Sequence, residues 1–363
     1  MYRPDHKDPF RRHRLALSVV VPDLTVADIS RILREVAAAD ASSFADFLFT
    51  NGLASYWHDC VMAQDAAGET SPGFIDALKR ERFAEAAFYL CQKSALLELD
   101  RLFASEGIIY AAMKGAHVRE LVYADAALRP ATDIDILISP DQREAAARAL
   151  MGAGFELHAD AENISHEANF TRGSQTIDLH WDILRPGRTR IAMAQPMLSR
   201  RQRIDDFWGL DDTDTVFLML VHPAFAKYVC SPNMGLIRVV DFILWLRRRP
   251  VDWDAVAARL HDTGLKAAAW AVLQWFAMLL EPKRVPMPGT FIEGIYPGPL
   301  RARYLTYWLR NDLPTRWLDN PLLIQLGFTL PLHDRVSDAQ RAMTGLMRAR
   351  RTRGSDPLLQ VNG

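Results

Sequence analysis

The chain changes hydrophobic period twice along its length. From Val26 to about Glu106 apolar residues recur at helical spacing. The clearest stretch sets Phe88, Cys91, Ala95, Leu99 and Leu102 three or four apart, with Lys93, Glu98 and Arg101 between them. Gly107 follows where a helix C-cap belongs, and Gly68, Pro72 and Gly73 divide this zone into an early cluster and one long helix. The period then shortens. Residues 108–113 form a brief apolar run, 116–123 a short helix, and 133–138 alternate charged and apolar side chains. A helix is predicted over 141–151 after Pro140, ending at Gly152 and Gly154, with strands at 155–158, 167–172 and 175–181. The last two strands meet across Gly173–Ser174, a hairpin signal. From Thr213 the chain is helical again, with helices expected over 216–228, 236–248, 253–261 and 265–280 before a proline-rich connection from Pro282 to Pro299.

These periods predict an α+β fold, with an α/β core of residues 107–211 and a mixed sheet carrying helices on one face. An N-terminal helical region, 1–106, and a C-terminal helical domain, 212–353, flank it, and 354–363 reads as a frayed tail. At roughly 100–200 residues per domain, 363 residues allow this division. Hydrophobic residues at 49% and charged residues at 24% exclude a disordered chain. Forty-three basic against forty-four acidic residues, a formal charge of −1, disfavour a nucleic-acid coat or a polybasic membrane binder. The three cysteines, Cys60, Cys91 and Cys230, are odd in number and too far apart for a CxxC motif, so neither a disulfide framework nor a thiolate metal site is expected. The apolar run after the charged N-terminus stops at Pro22, and the longest apolar stretch, 267–280, falls short of the ~18–20 residues of a membrane span. The expectation is a cytoplasmic protein with no membrane partner.

Chemistry concentrates in the middle zone. Asp133 and Asp135 stand two apart on a predicted strand and therefore on one face, where two carboxylates repel unless a cation lies between them. Hard oxygen ligands suit Mg²⁺, although an Asp-x-Asp strand is equally readable as a solvated face. Asp178, between Ile177 and Leu179 on another predicted strand, adds a third acid. Three such carboxylates suit two divalent ions about 3.5–4 Å apart, the arrangement that clamps both oxygens of a phosphoryl transfer. Lys114-Gly115 lies at a strand-to-helix junction, where amides and a lysine can hold phosphates and glycine allows close approach. His166-Glu167 lacks the second histidine of HExxH, and neither a P-loop nor a Rossmann fingerprint occurs. His180 shares a face with Asp178, as a substrate contact or as a packing histidine. Arg129, before Pro130, is a candidate for phosphate contact or for a salt bridge to Asp133 or Asp135.

Met113-Lys114-Gly115-Ala116, Leu121-Val122-Tyr123, Leu128-Arg129-Pro130, Asp133-Ile134-Asp135 and Ile177-Asp178-Leu179-His180-Trp181 together resemble the uncharacterised nucleotidyltransferase family of the DNA polymerase beta-like superfamily. Phe49-Thr50-Asn51-Gly52-Leu53-Ala54 resembles its N-terminal helical segment, and His222, Lys227, Arg238 and Asp241 fall where its C-terminal helices carry similar residues. The resemblance covers roughly residues 40–280. It implies a minimal nucleotidyltransferase core in which the glycine motif starts a helix at the triphosphate and Asp133, Asp135 and Asp178 bind two Mg²⁺ (or Mn²⁺) ions. Lys-Gly stands here where better-known members carry Gly-Ser or Gly-Gly.

The expected function is transfer of a nucleoside monophosphate from an NTP to an unidentified acceptor (small molecule, protein side chain or RNA end), with release of pyrophosphate. Lys114, Gly115 and Arg129 would meet the phosphates, and Lys227 or Arg238 would add a further cation from outside the core. The alternative is a nucleotide-sensing or antitoxin-like subunit that binds a protein partner on the same fold. A nucleic-acid acceptor is less favoured by the near-neutral charge.

Overall fold

The computed structural model describes residues 10–21, 24–38, 40–158, 166–226, 235–280, 287–311, 318, 320–352 and 358. Four helices open the chain, α1 (Arg11–Leu17), α2 (Val26–Ala38), α3 (Ala41–Thr50) and α4 (Ala54–Ala63), followed by the long α5 (Pro72–Ser105). Ser71 caps α5 by accepting from the Phe74 amide at 3.3 Å. At the other end Gly107 takes φ +66°, and the Ile108 amide reaches back to the Phe103 carbonyl at 2.8 Å. That is a Schellman ending, and it requires the left-handed residue the sequence supplies.

The core alternates as expected: β1 (Tyr110–Met113), α6 (Lys114–Val122), β2 (Ile134–Ile138), α7 (Arg143–Gly152), β3 (Glu156–His158), β4 (Glu167–Arg172) and β5 (Gln175–His180). After α8 (Ala194–Ser199), two strands absent from the sequence reading, β6 (Gln202–Ile204) and β7 (Phe207–Gly209), extend the sheet. The sheet has seven strands in the order β3-β4-β5-β2-β1-β7-β6. It is mixed: β2 pairs in parallel with β5, and β1 with β7, while the other neighbours are antiparallel.

One face of the sheet is apolar. Ile134, Ile136 and Ile138 of β2, Ile177 and Leu179 of β5, and Ala168 and Phe170 of β4 are buried with Leu96, Leu99 and Phe103 of α5 and Leu150 of α7. The pleat sends the intervening residues to the opposite face, so that Asp135, Asp178, His180, Asn169 and Glu167 gather there. That second face is not bare, which corrects the expectation of helices on one side. Ala111, Met113 and Leu137 join a larger cluster built by the flanking helices.

The helices after the core are α9 (Asp212–Ala226), α10 (Ile237–Arg248), α11 (Trp253–Thr263), α12 (Lys266–Leu279), α13 (Gly289–Ile295), α14 (Pro299–Asn311) and α15 (Val336–Thr352). Their core is shared with the N-terminal helices: Phe44, Leu48 and Trp57 belong to the same buried cluster as Phe217, Trp245 and Phe276. A polar staple joins the two regions. The Asn51 side chain accepts from the Leu236 amide at 3.2 Å, and its carbonyl accepts from the Ile237 amide at 3.1 Å, so a residue of the N-terminal region satisfies the start of α10. Gly52 takes φ +70°, and a Cβ built on it would lie 3.2 Å from Pro130 Cγ and 3.3 Å from Ile237 Cβ. Cys60 and Cys91 are free thiols, and Cys230 lies outside the described residues. Among the described residues no helix is long and apolar enough to cross a membrane.

Candidate active site

The parallel register of β2 and β5 sets Asp135 opposite Asp178 and Leu137 opposite His180. Single ligand atoms of Asp135, Asp178 and His180 lie within 4.8 Å of one another. Asp133 precedes β2 by one residue and is not a member of that trio, but it lines the same cleft and feels both other aspartates. Asn169, cross-strand from Asp178, donates to its carboxylate at 2.6 Å. His180 Nε2 lies 2.9 Å from Asp135 Oδ1, and Lys114 Nζ is ion-paired to that same oxygen.

The charges are uneven. Burial pushes the Asp135 carboxyl up, but the Lys114 ammonium and the His180 contact prevail and hold it well below the usual carboxylate range. At Asp133 the pull of Lys114 and His180 is outweighed. Burial, with repulsion from Asp135 and Asp178, raises it to about 7. Burial and Asp135 also raise Asp178, against the opposing pull of the Asn169 hydrogen bond. Two carboxyls on this floor are thus short of positive charge. Oxygen donors crowded in this way fit a hard divalent cation.

Lys114 opens α6 directly from β1 at φ +55°. A side chain other than glycine in that region costs of order 1–3 kcal/mol and persists where its surroundings demand it. Here the turn delivers the ammonium to Asp135 and leaves the first amides of α6 at the cleft. Packing gives a reason for the glycine that follows, Gly115. A Cβ built on it would overlap the Arg129 guanidinium, lying 2.8 Å from Cζ, and would sit 3.3 Å from the Ala131 Cβ.

Arg129 lines the cleft but departs from the expected salt bridge. It pairs with neither Asp133 nor Asp135; Nη2 and Nε bond Asp241 of α10 at 2.7 and 3.2 Å, and Nη1 donates to the Pro130 carbonyl at 2.8 Å. Tyr123 also donates to Asp241, at 2.8 Å. The guanidinium is therefore anchored, and its pKa is raised: burial works against the charge, but Asp241 outweighs it. A second buried chain, Arg119 to Gln92 at 2.7 Å and Gln92 to the Ala131 carbonyl at 2.9 Å, fixes the loop that leads to Asp133.

Above the floor is a cleft of about 590 Å³. The 49–55 segment, α5, α9 and α10 supply its walls, so the flanking helices complete the site rather than merely supporting it. Arg238 and His222 line it, both half-buried. Burial and the nearby Arg129 lower the Arg238 pKa to about 10, and burial with the Lys114 and Arg238 charges keeps His222 neutral. Lys227 lies outside the described residues.

Sequence reasoning gave no role in this site to Asn169, which bonds Asp178, or to Glu167, Glu81 and Glu85, which line the cleft from β4 and α5. Burial and Glu81 raise Glu85 to about 7. The hairpin register would have found Asn169 and Glu167. For Glu81 and Glu85 no local signal exists, because charges on a long helix read as solvated surface.

No curated protein and no solved structure matches the chain. A profile of the uncharacterised nucleotidyltransferase family matches residues 37–281, a span that takes in the 49–55 segment, the carboxylate floor and α9 to α12, and the chain belongs to that family.

Proposed function

We propose that the protein is a Mg²⁺-dependent enzyme that transfers a nucleoside monophosphate from an NTP to an acceptor in the cleft, releasing pyrophosphate. Family membership supports nucleotidyl transfer. The observation that carries the reading is the in-register pairing of Asp135 with Asp178 directly beside the Lys114 turn, with Asp133 next to both.

Asp133, Asp135 and Asp178 would hold the metal; the close approach of Asp135 and Asp178 ligand atoms, with Asp133 in the same cleft, supports this reading. When bound, such an ion neutralises triphosphate charge and makes an acceptor hydroxyl more acidic. The chain's own residues supply the rest. Lys114 and the amides that open α6 offer charge-assisted donors to phosphate oxygens, and Arg238 adds a cation from α10. Asp178, whose basicity is raised and whose orientation Asn169 holds, takes the acceptor proton. Arg129 braces the Gly115 turn against α10 through Asp241 and so acts as a positioning residue. A cleft of about 590 Å³ is of small-molecule size (roughly 300–1,000 Å³), which supports a compact acceptor over a polymer track.

The test is incubation of purified protein with each α-labelled NTP, Mg²⁺ and fractionated cell extract. Label should move to a compound in one fraction, and the labelled product names the acceptor class. Free labelled NMP as the sole product, with no acceptor adduct in any fraction, would oppose transfer.

A further inference from the structure

Beside the carboxylate floor lies a second group of ligands that the transfer reaction does not use. The sequence shows His166-Glu167 without the second histidine of HExxH. The fold supplies that histidine from across the sheet. β4 and β5 pair Glu167 with His180, and the Trp181 amide donates to the His166 carbonyl at 3.0 Å, closing the strand ends together. Ligand atoms of His166, Glu167 and His180 consequently lie within 4.8 Å of one another.

The ligand separations are compatible with a coordination polyhedron. Glu167 Oε2 is 3.5 Å from His166 Nε2 and 3.2 Å from His180 Nδ1. Donors bound at ~2.1 Å around a tetrahedral ion stand about 3.4 Å apart. His180 Nδ1 is buried and, apart from its 3.2 Å approach to Glu167, meets no hydrogen-bond partner among the described residues. Its other nitrogen, Nε2, sits 2.9 Å from Asp135 Oδ1. With Nε2 held at Asp135, a cation between Nδ1 and the Glu167 carboxylate would take both as ligands. A histidine whose second nitrogen is held by a carboxylate is the common arrangement at metal centres.

We propose that His166, Glu167 and His180 Nδ1 form a transition-metal site of Zn²⁺ class with one open position, separate from the oxygen-donor set of the aspartates. Two imidazole nitrogens and one carboxylate suit Zn²⁺ and disfavour Mg²⁺. The His180 ring then bridges the two sites, with Nδ1 on the ion and Nε2–H on Asp135. The proposal stands apart from the transfer reaction, because its readout is metal binding.

The probe is Co²⁺, titrated into the full chain in excess Mg²⁺ so that the aspartates are already served. The wild type should bind one equivalent, with the intensified visible absorption of a low-coordinate Co²⁺ centre, and Zn²⁺ should displace it. His166→Ala and Glu167→Gln should each weaken Co²⁺ binding at least about tenfold, while Asp178→Asn should leave it within about twofold; circular dichroism confirms that each variant is folded. No Co²⁺ uptake by the wild type would overturn the site, as would wild-type affinity in both His166→Ala and Glu167→Gln. Loss of the Co²⁺ spectrum in Asp178→Asn alone would place the ion on the aspartates and equally refute it.

Discussion

Gly115→Ala separates two reasons for the glycine at the Lys114 turn. If glycine serves phosphate approach alone, the substitution leaves the folded protein intact and weakens nucleotide binding. The structure argues for a second cost, because the new Cβ falls within the Arg129 guanidinium, 2.8 Å from Cζ and closer to Nη1. A surface arginine would swing aside. This one is held on three sides, by Asp241 through Nη2 and Nε and by the Pro130 carbonyl through Nη1. A compromise shift costs about 1–3 kcal/mol, as overpacking does. Expulsion of the guanidinium leaves Asp241 buried without its cation, which costs about 3–5 kcal/mol. Urea denaturation should therefore show a loss of at least about 1 kcal/mol with an unchanged m-value. The decisive comparison is a double-mutant cycle with Arg129→Met, in which the clashing group is gone and Gly115→Ala should become nearly neutral. A cost below about 0.5 kcal/mol in the wild-type background, within the range of ordinary surface substitutions, would refute the packing argument. So would an equal cost in both backgrounds.

Three further outcomes follow from the same geometry. Arg238→Ala should weaken NTP binding by about 1.5–3 kcal/mol, the range for hydrogen bonds to charged groups, with little effect on folding; unchanged affinity by calorimetric titration would remove Arg238 from the phosphate site. Asn169→Ala should lower the rate of transfer by a similar free energy while leaving NTP affinity nearly intact, since Asn169 bonds Asp178 and not the phosphate side of the cleft; a change confined to affinity would contradict this role. Acid stability should report the buried His117, which burial keeps neutral with its pKa lowered to about 3. Because the unfolded histidine binds a proton near pH 6.5 and the folded one does not, its contribution is intact above that pH. It is lost as pH falls, by about 2 kcal/mol at pH 5. His117→Gln, whatever its effect at pH 7, should shrink the loss between pH 7 and pH 5 by that amount in denaturant titrations, and an unchanged loss would assign the acid sensitivity elsewhere.

Much of the core was legible because its elements announce themselves locally. α5 has a serine cap, a proline at its start and a left-handed glycine at its end, and aspartate alternates with isoleucine over 133–136, into the start of β2. The two-residue Gly173–Ser174 turn contained more than the sequence reading took from it. Pairing Arg172 with Gln175 fixes the ladder, and counting back sets Asn169 against Asp178 and Glu167 against His180. β6 and β7 were illegible for a physical reason: at three residues each they show no alternation, and β7 pairs with β1 at the single bridge Ala112–Gly209. Asp241 was noticed as a family-like residue, but its bond to Arg129 spans 112 positions and no spacing rule reaches that far. The same holds for Asn51 and α10, where the capping residue and the helix start it caps are 185 positions apart. Sequence revealed the floor of the site, whereas its walls and braces are long-range contacts.

The central claim, that the aspartates on β2 and β5 form one phosphoryl-transfer centre, is tested most directly by pyrophosphate release from γ-labelled NTP in the presence of Mg²⁺ and the acceptor-containing fraction. Wild-type protein should release labelled pyrophosphate, and Asp135→Asn and Asp178→Asn should each abolish release while remaining folded by circular dichroism. Undiminished release by Asp178→Asn, or label appearing as orthophosphate and not as pyrophosphate, would contradict the account.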